Sequence, residues 1–124
     1  MHAWGEAKLL GHLHARLKGR PLYLCFDMDV FDPSVAAGVA MPTLGGLLPA
    51  DGIALLRGLT GLDIVCADIN TPTPLHDPSG ATAGLAAAVA AECLWICLGG
   101  YRGLQRQEDQ GQHQGGQGPK GRRH

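Results

Sequence analysis

An apolar run that ends in three closely spaced carboxylates constrains the fold of this chain more than any other feature. Residues 22–26 are predicted to form a buried strand, because all five side chains are apolar or aromatic. The sequence then continues with Asp27, Asp29 and Asp32. If the strand continued, Asp27 and Asp29 would point to the same side, with Cα atoms roughly 6.5–7 Å apart. Like charges this close favour a divalent cation between them, so we predict a metal site.

Helical and extended patterns alternate over residues 1–100. Leucines at helical spacing predict a helix over residues 6–18, and Pro49 suits the first position of a second helix. A second apolar strand is predicted over residues 62–69, and a long alanine-rich helix follows over residues 81–98. Strands separated by helices indicate a parallel α/β fold, whose sites lie beyond the carboxyl ends of the strands.

The composition changes after residue 100. Residues 101–124 consist mainly of Gln, Gly and basic residues, with almost nothing apolar after Leu104. We therefore predict a partial α/β domain over residues 1–100 and a disordered Gln/Gly/Arg-rich tail over residues 101–124.

The net charge and the cysteines indicate which binding partners and which cellular compartment are expected. The formal net charge is −1, so nothing favours a nucleic-acid or membrane-surface partner. Residues 81–98 approach the length of a membrane span, but they include Glu92 and are predicted to form a buried helix instead. Four cysteines lie in apolar segments and are predicted to be reduced core residues of a cytoplasmic protein: Cys25, Cys66, Cys93 and Cys97.

Several fixed spacings resemble the arginase and agmatinase family, the manganese-dependent ureohydrolases, over residues 20–98. The matching motifs are Asp27-x-Asp29-x-x-Asp32-Pro33, then Gly38, then Pro42-x-x-Gly45-Gly46-Leu47, and finally Pro74-x-x-Asp77-x-x-Gly80-x-Thr82-Ala83. The first group follows the family's final metal-binding signature, and the last resembles its final strand–loop–helix unit. The resemblance implies part of a three-layer α/β/α arginase-like fold with a parallel sheet.

The resemblance also implies a chemistry. In that family the first aspartate of the pair bridges two manganese ions and the second binds one of them, which assigns these roles to Asp27 and Asp29. Two metals about 3.5–4 Å apart lower the pKa of a shared water, and the resulting bridging hydroxide attacks a guanidine or amidine carbon. The implied activity is agmatinase-like hydrolysis of a small linear guanidino or amidino compound, in a protein that we expect to form homo-oligomers.

Residues outside the aspartate pair have predicted roles in the loops. The family usually carries a glutamate for the substrate guanidinium where this chain has Thr71, and a hydroxyl cannot make the same charge-assisted paired bonds. Thr71 and His76 are candidate substrate-binding residues, although a loop-surface or capping role is favoured for His76. No catalytic residue is identified from the sequence. Four positions are predicted to shape the loops: Asp32, Gly45, Gly46 and Asp77.

Two upstream segments that supply the family's remaining metal ligands have no counterpart in this sequence. These are a Gly-Gly-Asp-His stretch and an Asp-Ala-His-x-Asp stretch. The chain therefore resembles the carboxyl third of such an enzyme, and we expect an incomplete domain, or fragment, that supplies only part of the ligands for two Mn²⁺ ions. Alone, Asp27 and Asp29 would bind a divalent ion weakly, since such ions take about six ligands.

Two alternatives stay open at this point. Phe26-Asp27-Met28-Asp29-Val30 also fits the nucleophile motif of haloacid-dehalogenase-like phosphatases, but the lysine that such enzymes need has no counterpart before Lys120. A non-catalytic subunit, which keeps half of the site and pairs with a complete homologue, would also explain Thr71 and the missing ligands.

Overall fold

The computed structural model describes residues 5–99, in which helices and strands alternate. The elements in chain order are α1 (Glu6–Leu17), β1 (Pro21–Asp27), α2 (Pro49–Gly58), β2 (Asp63–Asn70) and α3 (Ala81–Cys97). Short 3₁₀ turns follow each strand, at Met28–Val30 and Pro74–His76. This order confirms the predicted α/β fold. The tail predicted over residues 101–124 lies outside the described residues.

The two strands pair in parallel, which brings both of their carboxyl ends to one edge. Pro21 pairs with Asp63 at the start, and Asp27 pairs with Asn70 at the end. The register shifts by one residue after Leu22, so Val65 has no partner. Because the last pair is in register, the loops that follow Asp27 and Asn70 leave the sheet side by side.

The described helices cover only one face of this sheet. Leu56 of α2 and Val89 and Ile96 of α3 pack into a common core with Ile64 of β2. An ion pair between Arg57 and Glu92, 2.5 Å long, joins α2 to α3 and accounts for a charge within the apolar helix. Within residues 5–99 no helix packs on the opposite face of the sheet, here called the bare face, and Val65 is 62% exposed there. Residues 5–99 thus form two layers of an α/β arrangement.

The bare face overturns part of the cysteine prediction. Cys93 is buried and Cys97 is half-buried, but Cys25 and Cys66 are exposed. Side chains on a strand alternate between its two faces, and these two cysteines lie on the uncovered face. The prediction of four core cysteines is therefore wrong for Cys25 and Cys66.

Helix α3 is apolar on all sides, yet it is only partly buried. Val89, Cys93 and Ile96 face the core, whereas Leu94 is 61% exposed and Trp95 is 45% exposed. With 17 residues, α3 is shorter than a membrane span, and no helix within residues 5–99 is long and apolar enough to cross a bilayer.

Candidate metal centre

Asp27 and Asp29 lie where β1 ends, but they are not on one continuous strand. Asp27 is the last residue of β1, and Asp29 lies in the 3₁₀ turn that follows. The strand geometry predicted for Asp29 is therefore wrong. The Asp27 carboxylate accepts a hydrogen bond from the Asp29 backbone N–H at 3.1 Å, while the Met28 side chain is fully buried. This side-chain-to-backbone bond and the burial of Met28 favour a turn over an extended chain.

The pKa values of Asp27 and Asp29 are shifted in opposite directions. A hydrogen bond from the Thr71 hydroxyl, with further bonds from Asp29, lowers the pKa of Asp27. Loss of hydration and the negative charge of Asp27 raise the pKa of Asp29. Ionisation is therefore less favourable for Asp29 than for Asp27. A cation beside both carboxylates would favour its ionised form.

Thr71 joins the end of β2 to this pair. Its hydroxyl Oγ1 donates to Asp27 Oδ1 at 2.5 Å. Its backbone lies in the left-handed region, at φ 68°, a conformation that Thr rarely adopts. Such a conformation costs about 1–3 kcal/mol and tends to occur at functional sites. The structure therefore places Thr71 against a predicted metal ligand.

The long loop after β1 folds back through Asp32. Asp32 Oδ1 accepts from the Ser34 N–H and Oδ2 accepts from the Gly45 N–H, both at 2.9 Å. The bond with Ser34, followed by the bond with Gly45, lowers the pKa of Asp32. Gly45 has a left-handed φ of 74°. A methyl group at Gly46 would come within 2.5 Å of the Val30 carbonyl oxygen, so only glycine fits there without a shift of the backbone. These contacts hold the loop against the 3₁₀ turn that carries Asp29.

Asp77 and His76 lie in the loop between β2 and α3, and each makes different contacts. Asp77 accepts from the backbone N–H groups of Thr82 at 3.1 Å and Ala83 at 2.9 Å, at the start of α3. The His76 ring nitrogen Nδ1 lies 3.2 Å from the Val39 carbonyl oxygen and donates to it. His76 and Asp77 line a cavity of about 300 Å³, whose lining does not include Asp27 or Asp29. The structure thus brings Thr71, but not His76, to the aspartate pair.

Replacing Asp77 is expected to flatten the loss of stability in acid. The Ala83 N–H, followed by that of Thr82, lowers the pKa of Asp77. Its contribution is therefore complete above the unfolded-state pKa of about 3.9 and is lost as the pH falls through the lower folded-state value. Denaturant unfolding from pH 7 to pH 2 should show a shallower acid loss for Asp77→Asn than for the wild type. Asp63→Asn, at the exposed start of β2, is the matched control. Equal acid slopes for wild type and Asp77→Asn would contradict the role of Asp77.

A polar network along the bare face of the sheet was not predicted from the sequence. The Tyr23 hydroxyl donates to Asp68, and this bond raises the pKa of Tyr23 to about 12. The Asn70 amide donates to Cys25 Sγ at 2.9 Å and to Asp68 at 3.3 Å. Alternation on each strand places these residues on one face, but the pairing register is needed to bring them together.

Asp27 and Asp29 fit part of a manganese site. Carboxylate oxygens are hard donors, which suit manganese or magnesium better than soft metals. However, no three His, Cys, Asp or Glu side chains among residues 5–99 come together to hold a metal ion. Divalent ions of this type take about six ligands, so the two carboxylates would supply only part of a complete site.

The chain has a parallel α/β arrangement with acidic residues at the carboxyl edge of the sheet. This places it among the α/β proteins that bind their ligands at that edge. Within this class, the chain belongs to the arginase family, whose family model matches residues 1–95. The chain is 37% identical over 86 residues to the human mitochondrial guanidino acid hydrolase, a match that covers 69% of this chain and 24% of that relative. It is 45% identical over 76 residues to an agmatinase of Neisseria meningitidis, covering 61% of this chain and 25% of the relative.

A solved structure agrees with this assignment. Proclavaminate amidino hydrolase from Streptomyces clavuligerus superposes with a TM-score of 0.73 at 35% identity, covering 77% of this chain and 32% of that structure. The arginase-like fold and the predicted family are thereby confirmed. The chain spans about a quarter of the length of the curated relatives it matches. Membership of this family also removes the basis for the phosphatase alternative.

Proposed function

We propose that this chain supplies Asp27 and Asp29 to the manganese site of a ureohydrolase that cleaves a C–N bond of a linear guanidino or amidino compound. The observation that carries this proposal is the placement of both aspartates at the carboxyl edge of the sheet, in a member of the arginase family: Asp27 ends β1, and the backbone N–H of Asp29 in the next turn donates to Asp27 Oδ1 at 3.1 Å. Manganese, when bound, supplies Lewis acidity and lowers the pKa of a bound water.

The residues of this chain have distinct parts in the proposed site. Asp27, which the family resemblance makes the bridging ligand, is oriented by hydrogen bonds from the Asp29 N–H and the Thr71 hydroxyl. Asp29, with its raised pKa, gains most from a nearby cation. Asp32 holds the following loop through Ser34 and Gly45, which keeps the turn that carries Asp29 in place.

The proposed substrate class follows the names of the relatives. These names are guanidino acid hydrolase, agmatinase and proclavaminate amidino hydrolase. Thr71 carries no charge, so recognition of a guanidinium by this chain would need another group. We also propose homo-oligomers and a cytoplasmic location, although the human relative is named mitochondrial.

Calorimetric titration of the full chain with Mn²⁺, with circular dichroism in parallel, tests the proposal. A folded chain is expected to bind Mn²⁺, more weakly than a site of about six ligands would. The absence of binding by a folded chain at millimolar Mn²⁺ would contradict the proposed function.

A non-catalytic subunit is the second candidate, because residues 5–99 hold no third acidic or histidine ligand beside the pair. Urea release from agmatine and from a guanidino acid, measured with Mn²⁺, separates the two. Manganese binding without urea release by this chain alone would favour the non-catalytic subunit.

A further inference from the structure

The Thr71 side chain contacts Asp27, the proposed metal ligand. Thr71 follows Asn70, the last residue of β2, and Asn70 pairs with Asp27 in the sheet. The first residue beyond β2 thus lies beside the last residue of β1. In the arginase family the residue at this position usually faces the substrate. Here it is Thr71, whose hydroxyl donates to Asp27 Oδ1 at 2.5 Å.

Among residues 5–99, Asp27 Oδ1 accepts hydrogen bonds from two different donors. Oδ1 accepts from the Thr71 hydroxyl at 2.5 Å and from the Asp29 backbone N–H at 3.1 Å. These donors come from different segments of the chain, so together they restrict rotation of the carboxylate. Neither of these two bonds uses Oδ2, so they leave its lone pairs for another ligand.

The backbone around Thr71 is fixed independently of this hydrogen bond. The Thr73 N–H donates to the Gly38 carbonyl oxygen at 2.7 Å, and Pro72 forms a bridge with Val39. The Thr73 hydroxyl donates to the Thr71 carbonyl oxygen at 3.1 Å. These contacts tie the segment after β2 to the long loop after β1. They hold Thr71 in its left-handed conformation, with its hydroxyl directed at Asp27.

From this geometry we infer that Thr71 is a positioning residue, whose hydroxyl orients Asp27 so that Oδ2 is presented to a metal ion. This inference rests on the proposed function, because it assumes that Asp27 is a ligand. It differs from the substrate-binding role predicted for Thr71 from the sequence. Loss of a hydrogen-bonding partner of a metal ligand typically lowers metal affinity about 10–100-fold.

Four variants separate the hydroxyl from the backbone conformation. Thr71→Val removes the hydroxyl and keeps the branched shape. Thr71→Gly removes it as well, but glycine adopts a positive φ without strain. Thr71→Ser retains the hydroxyl. Thr60→Val is the matched control, since the Thr60 hydroxyl donates to the Arg57 carbonyl oxygen at the end of α2.

The measurement is NMR of the full chain titrated with Mn²⁺ alone, following the broadening of the Asp27 and Asp29 amide signals. Thr71→Val and Thr71→Gly should need at least roughly tenfold more Mn²⁺ than the wild type for equal broadening. Thr71→Ser and Thr60→Val should stay within about twofold, because each retains the hydroxyl at position 71. This pattern would support the inference.

Three results would overturn it. Wild-type broadening by Thr71→Gly or Thr71→Val would show that the hydroxyl does not position Asp27, and a loss in Thr71→Ser equal to theirs would exclude the hydroxyl as the cause. Loss of signal dispersion in both hydroxyl-free variants would assign Thr71 to fold stability instead. The absence of selective broadening in the folded wild type is a different failure, because it would overturn the proposed function itself.

Discussion

Asp27→Asn is expected to weaken manganese binding by at least roughly 100-fold, beyond the 10–100-fold that loss of a ligand's hydrogen-bonding partner costs. The substitution removes a negative charge from the proposed bridging ligand, while the Asn side-chain oxygen can still accept from the Thr71 hydroxyl and the Asp29 N–H. The fold should therefore persist, and the loss should be confined to the metal. Calorimetric titration with Mn²⁺ measures the effect.

Two further variants make this result specific. Asp29→Asn should also weaken binding, because it removes the second carboxylate of the pair. Asp63→Asn lies at the opposite end of the sheet, where β2 begins, and should bind as the wild type does. Equal affinity for the wild type and a folded Asp27→Asn variant would contradict the assignment of Asp27.

Phe31→Ala is expected to destabilise the protein by about 3–5 kcal/mol, as is typical when a buried aromatic residue is truncated. Phe31 is fully buried, and its ring centroid lies 5.8 Å from that of Phe26. The edge of the Phe31 ring packs against Gly52, where it fills the space that a Cβ atom would occupy. Small domains are stable by only about 5–15 kcal/mol, so a large part of the folded population could be lost.

Denaturant unfolding followed by circular dichroism measures this loss. Leu75→Ala is the control, because Leu75 is 94% exposed and its truncation should change stability by less than about 0.5 kcal/mol. Since Phe31 follows the turn that carries Asp29, Phe31→Ala should also weaken Mn²⁺ binding. A loss of stability below about 1 kcal/mol would show that Phe31 does not anchor this part of the core.

The sequence was sufficient for the elements and for the edge of the sheet where the site lies. Continuous apolar runs predicted both strands and α3, leucines at helical spacing predicted α1 and α2, and parallel pairing followed from the alternation of strands and helices. The sequence did not predict the conformation of Asp29. The Asp29 backbone N–H donates to the Asp27 side chain, so the chain forms a turn where a continued strand was predicted. Hydrogen bonds between a side chain and a neighbouring backbone group leave no trace in the spacing of apolar residues, so apolar patterns do not predict them.

Contacts between the strands could not be predicted without their register. The Thr71–Asp27 and Tyr23–Asp68 bonds join residues 44 and 45 positions apart in the chain. Both depend on the one-residue shift at Val65, which apolar patterning does not reveal. The exposure of Cys25 and Cys66 depends in turn on which face of the sheet the helices cover.

Anomalous diffraction from crystals of the chain soaked in Mn²⁺ would show whether Asp27 and Asp29 jointly bind manganese. We expect an anomalous peak within coordination distance of both carboxylates, and no such peak in Asp27→Asn crystals. A fully soaked wild-type crystal with no peak at this pair, or with its only peak elsewhere, would show that the two aspartates do not form a manganese site.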